Sequence, residues 1–399
     1  MDSLRIILVA SPFANMSAVY EVDPDADVLL VVPPYTKPFA SWDESDTVSD
    51  HKHTPKPSST PELRIKASSK HLCLASPAFR NKLRNAVSGA KTTQSDGRVH
   101  LALEGGAGFD PKVVIIVMNI VHGRGSRVPR LVDFETLAQV ALLVDKFQLH
   151  DAVDVYAERW IENLATLARE SATPPPSYGR DLILWIFVAY VFRRSDLFKA
   201  ATRVAILQSH GPIRDLGLPI RDKIIRTIDS KRQELVGHAL GILHKALDKL
   251  REGKAECAAF RCDAFLLGEL IKTLYRHKLD VWSGHSTKPY AGVSFAALVG
   301  SIGSVQSQLR SSSSPAEQLW GNALGVQQTQ PSAGRKRRGP VQQELTPESS
   351  PEPAPLAPPT TSFDTHYCEA RKLSETDLDA LAEHVEGLDL ESSLGYYLY

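Results

Sequence analysis

This chain has few sulphur-containing residues and a formal net charge of zero. Four of its 399 residues are cysteine and three are methionine. So few cysteines do not make a disulfide framework, and we therefore expect a reducing compartment. The 46 basic and 46 acidic side chains cancel, which argues against a protein that coats polyanions and against an acidic solvating protein.

Long apolar runs are also missing. The longest, residues 182–192, has eleven residues, whereas a transmembrane helix needs about 20. The apolar stretch at residues 6–9 is too short for the core of a secretory signal. We therefore expect no membrane partner, and a location in the nucleus or the cytoplasm.

Sequence motifs of the common enzyme classes are absent. The chain has no Gly-x-Ser-x-Gly elbow, no Walker loop, no His-Glu-x-x-His pair and no kinase signature. We therefore expect a non-enzymatic protein without a catalytic cofactor. The chain also lacks a classical zinc finger, a basic zipper and the aromatic signature of RNA-binding domains, so we expect no direct sequence-specific binding of nucleic acid.

Stretches rich in Pro and Ser divide the chain. Residues 33–62 and 311–362 have no periodic apolar pattern, and neither holds enough apolar surface to offset the entropy of ordering it. We therefore predict that both are disordered. A shorter break at residues 173–176, which contains three consecutive prolines, is predicted to separate two folded halves.

The apolar pattern between these breaks changes from strands to helices. Short apolar or alternating runs predict strands at 27–32, 63–67 and 99–103. Asp110 followed by Pro111 is typical of a helix N-terminus, so the apolar run that follows is predicted to be a helix. Apolar residues at helical spacing then predict helices near 134–147, 153–167, 180–193, 196–208, 219–251, 263–278, 294–309 and 374–386. The predicted class is α+β followed by an all-α part.

One segment of the first half resembles a known protein family. Residues 69–79, with the sequence SKHLCLASPAF, are similar to the BTB/POZ signature, in which a strand leads into a helical hairpin. Residues 25–31 resemble the opening strand of that domain, and residues 144–164 resemble its closing pair of helices. The residues that carry the signature are Asp27, Lys70, His71, Leu72, Leu74, Ala75, Ser76 and Phe79.

The resemblance implies a domain organisation. Residues 178–187 and 387–390 are further similar to recurring stretches of a fungal group of BTB proteins. The implied fold is a short mixed sheet with a cluster of helices, followed by an all-α C-terminal domain. The implied parts are an N-terminal segment 1–20, a BTB/POZ domain 21–165 with a disordered insertion at 33–62, a helical domain 176–310, a disordered linker 311–362 and a C-terminal helical segment 363–399.

The resemblance also implies a role in protein–protein interaction. BTB/POZ domains form homodimers, so the first expected partner is a second copy, in a protein that acts as a scaffold or adaptor for a further protein. One alternative is a nuclear transcription co-regulator that recruits partners through this domain. Another is a substrate adaptor of a cullin-type ubiquitin ligase, although residues 123–133 contain no clear hydrophobic-x-Glu motif for contact with a cullin.

Two smaller sequence patterns can each be interpreted either as a functional site or as ordinary structural residues. Cys257, Cys262, His366 and Cys368 could supply the four N/S ligands of a structural zinc ion, and the alternative is that the cysteines are plain buried thiols. The basic run is either a nuclear import signal or a solvated charge patch. It consists of Arg335, Lys336, Arg337 and Arg338.

Overall fold

The computed structural model describes the parts of the chain that form the sheet and most of the helices. The described residues are 7–8, 18–34, 38–42, 62–88, 96–103, 109–167, 174–253, 260–279, 288–302 and 375–394.

The strands form one mixed sheet with the order β1-β2-β4-β3-β5. Strand β4 pairs with β3 in antiparallel and with β2 in parallel orientation, and β5 lies parallel to β3. The three predicted strands are β3, β4 and β5, and the short β1 and β2 come from the segment that precedes them. The strands are β1 (Ile7–Leu8), β2 (Ala18–Glu21), β3 (Val28–Val32), β4 (Leu63–Ala67) and β5 (Val99–Ala102).

Burial in the central strands follows their side-chain periodicity. In β4, Leu63, Ile65 and Ala67 are buried, whereas Arg64 between them is exposed. This alternation is typical of a strand with one face on the core. In β3 the four residues Val28, Leu29, Leu30 and Val32 are all buried. Because successive side chains of a strand point to opposite faces of the sheet, both faces are covered at β3.

Five helices follow or interrupt the sheet in the first half of the chain. Helix α3 begins where the sequence predicts it: Asp110 accepts a hydrogen bond from the backbone N of Lys112, and Pro111 occupies the first turn. Asp133 caps the next helix in the same way, by accepting from the backbone N of Thr136. The helices are α1 (Ser69–Ala75), α2 (Pro77–Ser88), α3 (Pro111–Val121), α4 (Phe134–Phe147) and α5 (His150–Leu167).

The described elements after α5 are all helical. Every residue from Leu182 to Val191 in helix α6 is buried, so its aromatic side chains belong to the core. Trp185 of this helix stacks on Phe134 of α4, with 4.5 Å between the ring centroids. The helices are α6 (Arg180–Val191), α7 (Ser195–Gln208), α8 (Asp222–Arg251), α9 (Phe260–Arg276), α10 (295–302), α11 (Glu375–Glu383) and α12 (Leu390–Leu394). The predicted α+β class is confirmed.

The chain divides into two compact units, which differ from the predicted domains. The first comprises Met1–Leu240, Ser286–Ala297 and Ala380–Tyr399, and the second comprises Gly241–His285 and Leu298–Asp379. The boundary predicted between residues 165 and 176 falls within the first unit. The reason is that α6 is apolar on all sides and packs against α4, so the sheet and the first helices after the proline break share one core.

Part of the predicted insertion packs on the helical half. Arg180 donates hydrogen bonds to the carbonyl oxygens of Ala40 (2.9 Å) and Phe39 (3.0 Å). Trp42 lies edge-on to Tyr178, with ring centroids 5.8 Å apart. Residues 35–37 and 43–61 of the predicted insertion lie outside the described residues.

The described helices differ from membrane-spanning helices. No helix in the described stretches combines the length and the apolar character that crossing a bilayer requires.

Candidate interaction surface

Asp27 fixes the beginning of helix α1. Its carboxylate accepts hydrogen bonds from the backbone N (2.7 Å) and the side-chain Oγ (2.5 Å) of Ser69. Ser68, at the N-cap position itself, makes no side-chain capping bond, so Asp27 performs this role from a distant part of the chain. Burial alone would raise the pKa of Asp27, but the hydrogen bonds from Ser69 outweigh it and hold the pKa below its ordinary value.

Three other residues of the signature build the helical hairpin. Ser76 is buried between α1 and α2, donates a hydrogen bond from Oγ to the carbonyl oxygen of Phe147, and accepts one from the backbone N of Phe79 (2.9 Å). The ring of Phe79 stacks on Phe147 with centroids 4.8 Å apart and an interplanar angle of 7°. Leu72 is fully buried. These side chains hold the hairpin against α4 and are not accessible to a partner.

The remaining signature residues lie on the outside of α1. Lys70, His71 and Leu74 are exposed, and Ala75 beside them is half-buried. Residues three or four positions apart share a face of a helix, so these three side chains form one surface, which we call the outer face of α1. Leu74 has 82% of its surface exposed, the highest value among the large hydrophobic residues that the structure describes.

A stacked pair of histidines lies at the edge of the outer face of α1. The ring of His71 stacks on His122, with centroids 5.0 Å apart. Nε2 of His122 accepts a hydrogen bond from the backbone N of Ser68 (3.0 Å), and its Nδ1 lies 2.9 Å from the carbonyl oxygen of Met118. Both contacts are satisfied only when Nδ1 carries the proton and Nε2 does not, which is the neutral form of the ring.

Burial lowers the pKa of His122 below its ordinary value. The hydrogen bond with the carbonyl of Met118 is the next largest effect and raises the pKa, but it does not offset burial; His71 and Arg124 lower the pKa further, and Asp23 raises it. The neutral ring is therefore the form that the folded protein favours. No local sequence pattern indicates His122, because it follows α3 and meets His71 only through the fold.

Lowering the pH should weaken the fold through His122. An unfolded histidine has a pKa of about 6.5, so as pH falls below that value the unfolded chain takes up the proton before the folded chain does, and stability is lost. We expect the denaturant midpoint to fall more between pH 7.5 and 5.5 in the wild type than in His122→Gln, whose amide oxygen can accept from Ser68 and does not titrate. His150, whose pKa burial also lowers, is present in both proteins and cancels in the comparison. Equal pH dependence in the two proteins would contradict this role.

Other exposed apolar residues are scattered over the described surface. Val155 on α5 is 75% exposed, and Leu131 before α4 is 59% exposed. Leu131 lies in the loop 123–133, where the cullin-adaptor alternative would require a contact. Single exposed apolar residues are common on soluble proteins, so neither defines a surface by itself. Leu74 differs because it belongs to the segment that resembles an interaction signature.

The zinc and nuclear-import predictions concern residues that the structure does not describe. Cys257, His366, Cys368 and the basic run 335–338 lie outside the described residues. Cys262 lies within α9, and its side chain is also outside the description. Among the residues that are described, no group of three or more His, Cys, Asp or Glu side chains could hold a metal ion. Both patterns stay predictions.

Comparisons with known proteins found no similar protein. No family model, no curated protein and no solved structure matches this chain.

Proposed function

We propose that this chain is a non-enzymatic protein-interaction module of the BTB/POZ type, which forms a homodimer through the outer face of α1 and acts as a scaffold or adaptor. The observation that carries the proposal is the exposed Leu74. It lies in the middle of a segment whose two other large apolar side chains, Leu72 and Phe79, are fully buried. Exposure alone would not single out Leu74, because isolated exposed apolar residues are common. What favours Leu74 is that it is the most exposed of the large apolar residues that the structure describes and lies in the segment that resembles an interaction signature.

The order of elements supports the same proposal. Strand β4 leads directly into α1, and Ser76 separates α1 from α2, which matches the strand and helical hairpin of the signature. Strand β5 then returns parallel to β3 in the same sheet. A short mixed sheet with a helical hairpin on its central strand is the arrangement that the resemblance implies.

A symmetric dimer would use the outer face of α1 twice. In a two-fold interface the same patch is present on both copies, so one exposed leucine supplies two buried side chains. Full burial of a leucine contributes about 1.5–3 kcal/mol, which makes Leu74 the natural anchor of the interface. A stable interface buries about 800 Å² on each partner, so neighbouring elements have to add to the surface of this short helix.

Introducing charge at Leu74 should separate the two copies. We expect the wild type to have the mass of a dimer in light scattering at micromolar concentration, and Leu74→Arg to have the mass of a monomer. The reason is that two like charges would meet where two leucines are buried. Because the side chain of Leu74 is exposed in the single chain, the substitution should not itself lower the thermal midpoint of the monomer.

Val155→Arg provides the matched control, because Val155 is also an exposed apolar residue on a helix of the same unit. This variant should remain a dimer. A monomeric wild type, or a Leu74→Arg protein that remains a dimer, would contradict the proposal. Loss of the dimer in both variants would show that the interface is not centred on the outer face of α1.

A further inference from the structure

A segment near the end of the chain returns to helix α7. Residues 382–393, which we call the C-terminal segment, belong to the same compact unit as α7 and the first part of α8. Residues 303–374 separate this segment from α10, and the sequence predicts that most of that stretch is a linker. The segment therefore reaches α7 as a short piece of chain that is distant in sequence.

Side chains of α7 and α8 bind the backbone of the C-terminal segment. Arg203 donates from Nε to the carbonyl oxygen of Val385 (2.8 Å) and from Nη2 to that of Ala382 (3.0 Å). Lys223 donates from Nζ to the carbonyl oxygen of Ser392 (2.7 Å). Each cation lies at the C-terminal end of a short helix, where carbonyl oxygens lack partners within the helix and positive charge is favourable.

A buried threonine fixes the middle of the segment. Thr202 is fully buried, and its Oγ donates to the carbonyl oxygen of Phe198 (2.7 Å) and accepts from the backbone N of Leu388 (2.8 Å). Both roles of the hydroxyl are therefore used. A residue without a hydroxyl at this position would take the side-chain acceptor away from the backbone N of Leu388.

Gly387 lies where no side chain fits. A Cβ atom added to it would be 1.8 Å from the carbonyl oxygen of Lys199 and 2.8 Å from Oγ of Thr202. The obstacle is backbone in the middle of α7, which cannot move aside as the end of a flexible side chain could. The site therefore discriminates between glycine and every other residue at this position.

Two leucines beside the glycine are covered. Leu388 and Leu390 are each 3% exposed, whereas Asp389 between them is exposed and accepts a hydrogen bond from the backbone N of Ser392 (2.8 Å). Lys199 and Glu386 add an ion pair of 3.4 Å that is open to solvent and contributes little. The site is thus specific for a Gly-Leu-x-Leu pattern, because only glycine fits at position 387 and the side chains of Leu388 and Leu390 are buried.

We propose that α7 and the beginning of α8 form a peptide-recognition site whose ligand is the C-terminal segment, and that this ligand can be supplied by the same chain or by a second copy. The hydrogen bonds from Arg203 and Lys223, the bond accepted by Thr202 and the close approach of Gly387 to the backbone of α7 all fall on a segment of twelve residues, 382–393. A C-terminal segment from the same chain and one from another chain would make the same contacts. They would differ only in the effective concentration of the segment at the site.

The experiment uses the full chain with a protease recognition sequence inserted between Gly339 and Pro340. After cleavage, we expect the C-terminal fragment to co-elute with the rest of the protein in size-exclusion chromatography. A synthetic peptide of residues 375–394 should then displace the fragment in a concentration-dependent way. The same peptide with Gly387→Ala should displace an equal amount of fragment only at a concentration at least about tenfold higher. This difference corresponds to a loss of about 1.4 kcal/mol in the free energy of binding.

A peptide with Glu383→Gln is the matched control, because Glu383 is exposed and the substitution leaves the Gly-Leu-x-Leu pattern intact. It should displace the fragment as well as the unmodified peptide. Three outcomes would overturn the proposal: release of the fragment on cleavage, retention that excess peptide does not reverse, or equal displacement by the Gly387→Ala peptide. The protein itself carries no substitution in this design, so a failure to fold cannot be mistaken for a loss of binding.

Discussion

Replacing Arg232 with alanine should lower the free energy of unfolding by about 3–5 kcal/mol, the cost of removing one partner of a buried ion pair. Arg232 is fully buried in α8. Its Nη2 lies 2.7 Å from Oδ1 of Asp229, and its Nε donates to the same oxygen at 2.9 Å. The substitution would leave the carboxylate of Asp229, which is itself 15% exposed, without its counter-charge.

The same guanidinium also holds a loop from a later part of the chain. It donates to the carbonyl oxygens of Pro289 (3.1 Å), Tyr290 (3.2 Å) and Val293 (3.0 Å). Arg232→Lys should recover only a small part of the stability, because a single ammonium group cannot span a carboxylate and three carbonyl oxygens as the planar guanidinium does.

Chemical denaturation of Arg232→Ala, Arg232→Lys and the wild type measures this effect. The matched control is Arg226→Ala, an arginine at an exposed position of the same helix, which should change the free energy of unfolding by less than about 0.5 kcal/mol. Hydrogen exchange gives a second measurement: amides in residues 288–294 should exchange faster in Arg232→Ala, because the loop loses its donors. A loss below about 1 kcal/mol for Arg232→Ala would contradict the role of this residue as a buried anchor.

The local elements of this fold could be predicted from the sequence. The strands Val28–Val32 and Leu63–Ala67 have short apolar or alternating patterns, and the N-terminus of α3 has a capping residue followed by proline. These signals depend on neighbours along the chain, so they are readable without the fold. Strand β1 is only two residues long, and β2, with the sequence AVYE, lacks the alternation of apolar and polar residues that made β5 predictable.

The contacts that define the candidate sites could not be predicted in this way. Asp27 caps a helix 42 residues further along the chain, and Thr202 binds Leu388 across 186 residues. Nothing in the local sequence of either partner indicates the other, since each pairing exists only after the chain has folded. The resemblance of residues 69–79 to the signature could be recognised from the sequence, but which of these residues are buried and which are exposed could not.

Replacing Phe79 with alanine should separate the structural residues of the signature from those on its surface. Phe79 is fully buried and stacks on Phe147, so its truncation should lower the free energy of unfolding by about 3–5 kcal/mol through lost burial and the cavity left behind. Leu74→Ala, in the same segment, should change the stability of the single chain by less than about 0.5 kcal/mol, because the side chain is already in solvent. Denaturation at a concentration low enough to keep both proteins monomeric measures the two effects without a contribution from the dimer. Similar losses in the two variants would show that Leu74 is covered within the chain, and its role as the anchor of a dimer would then fail.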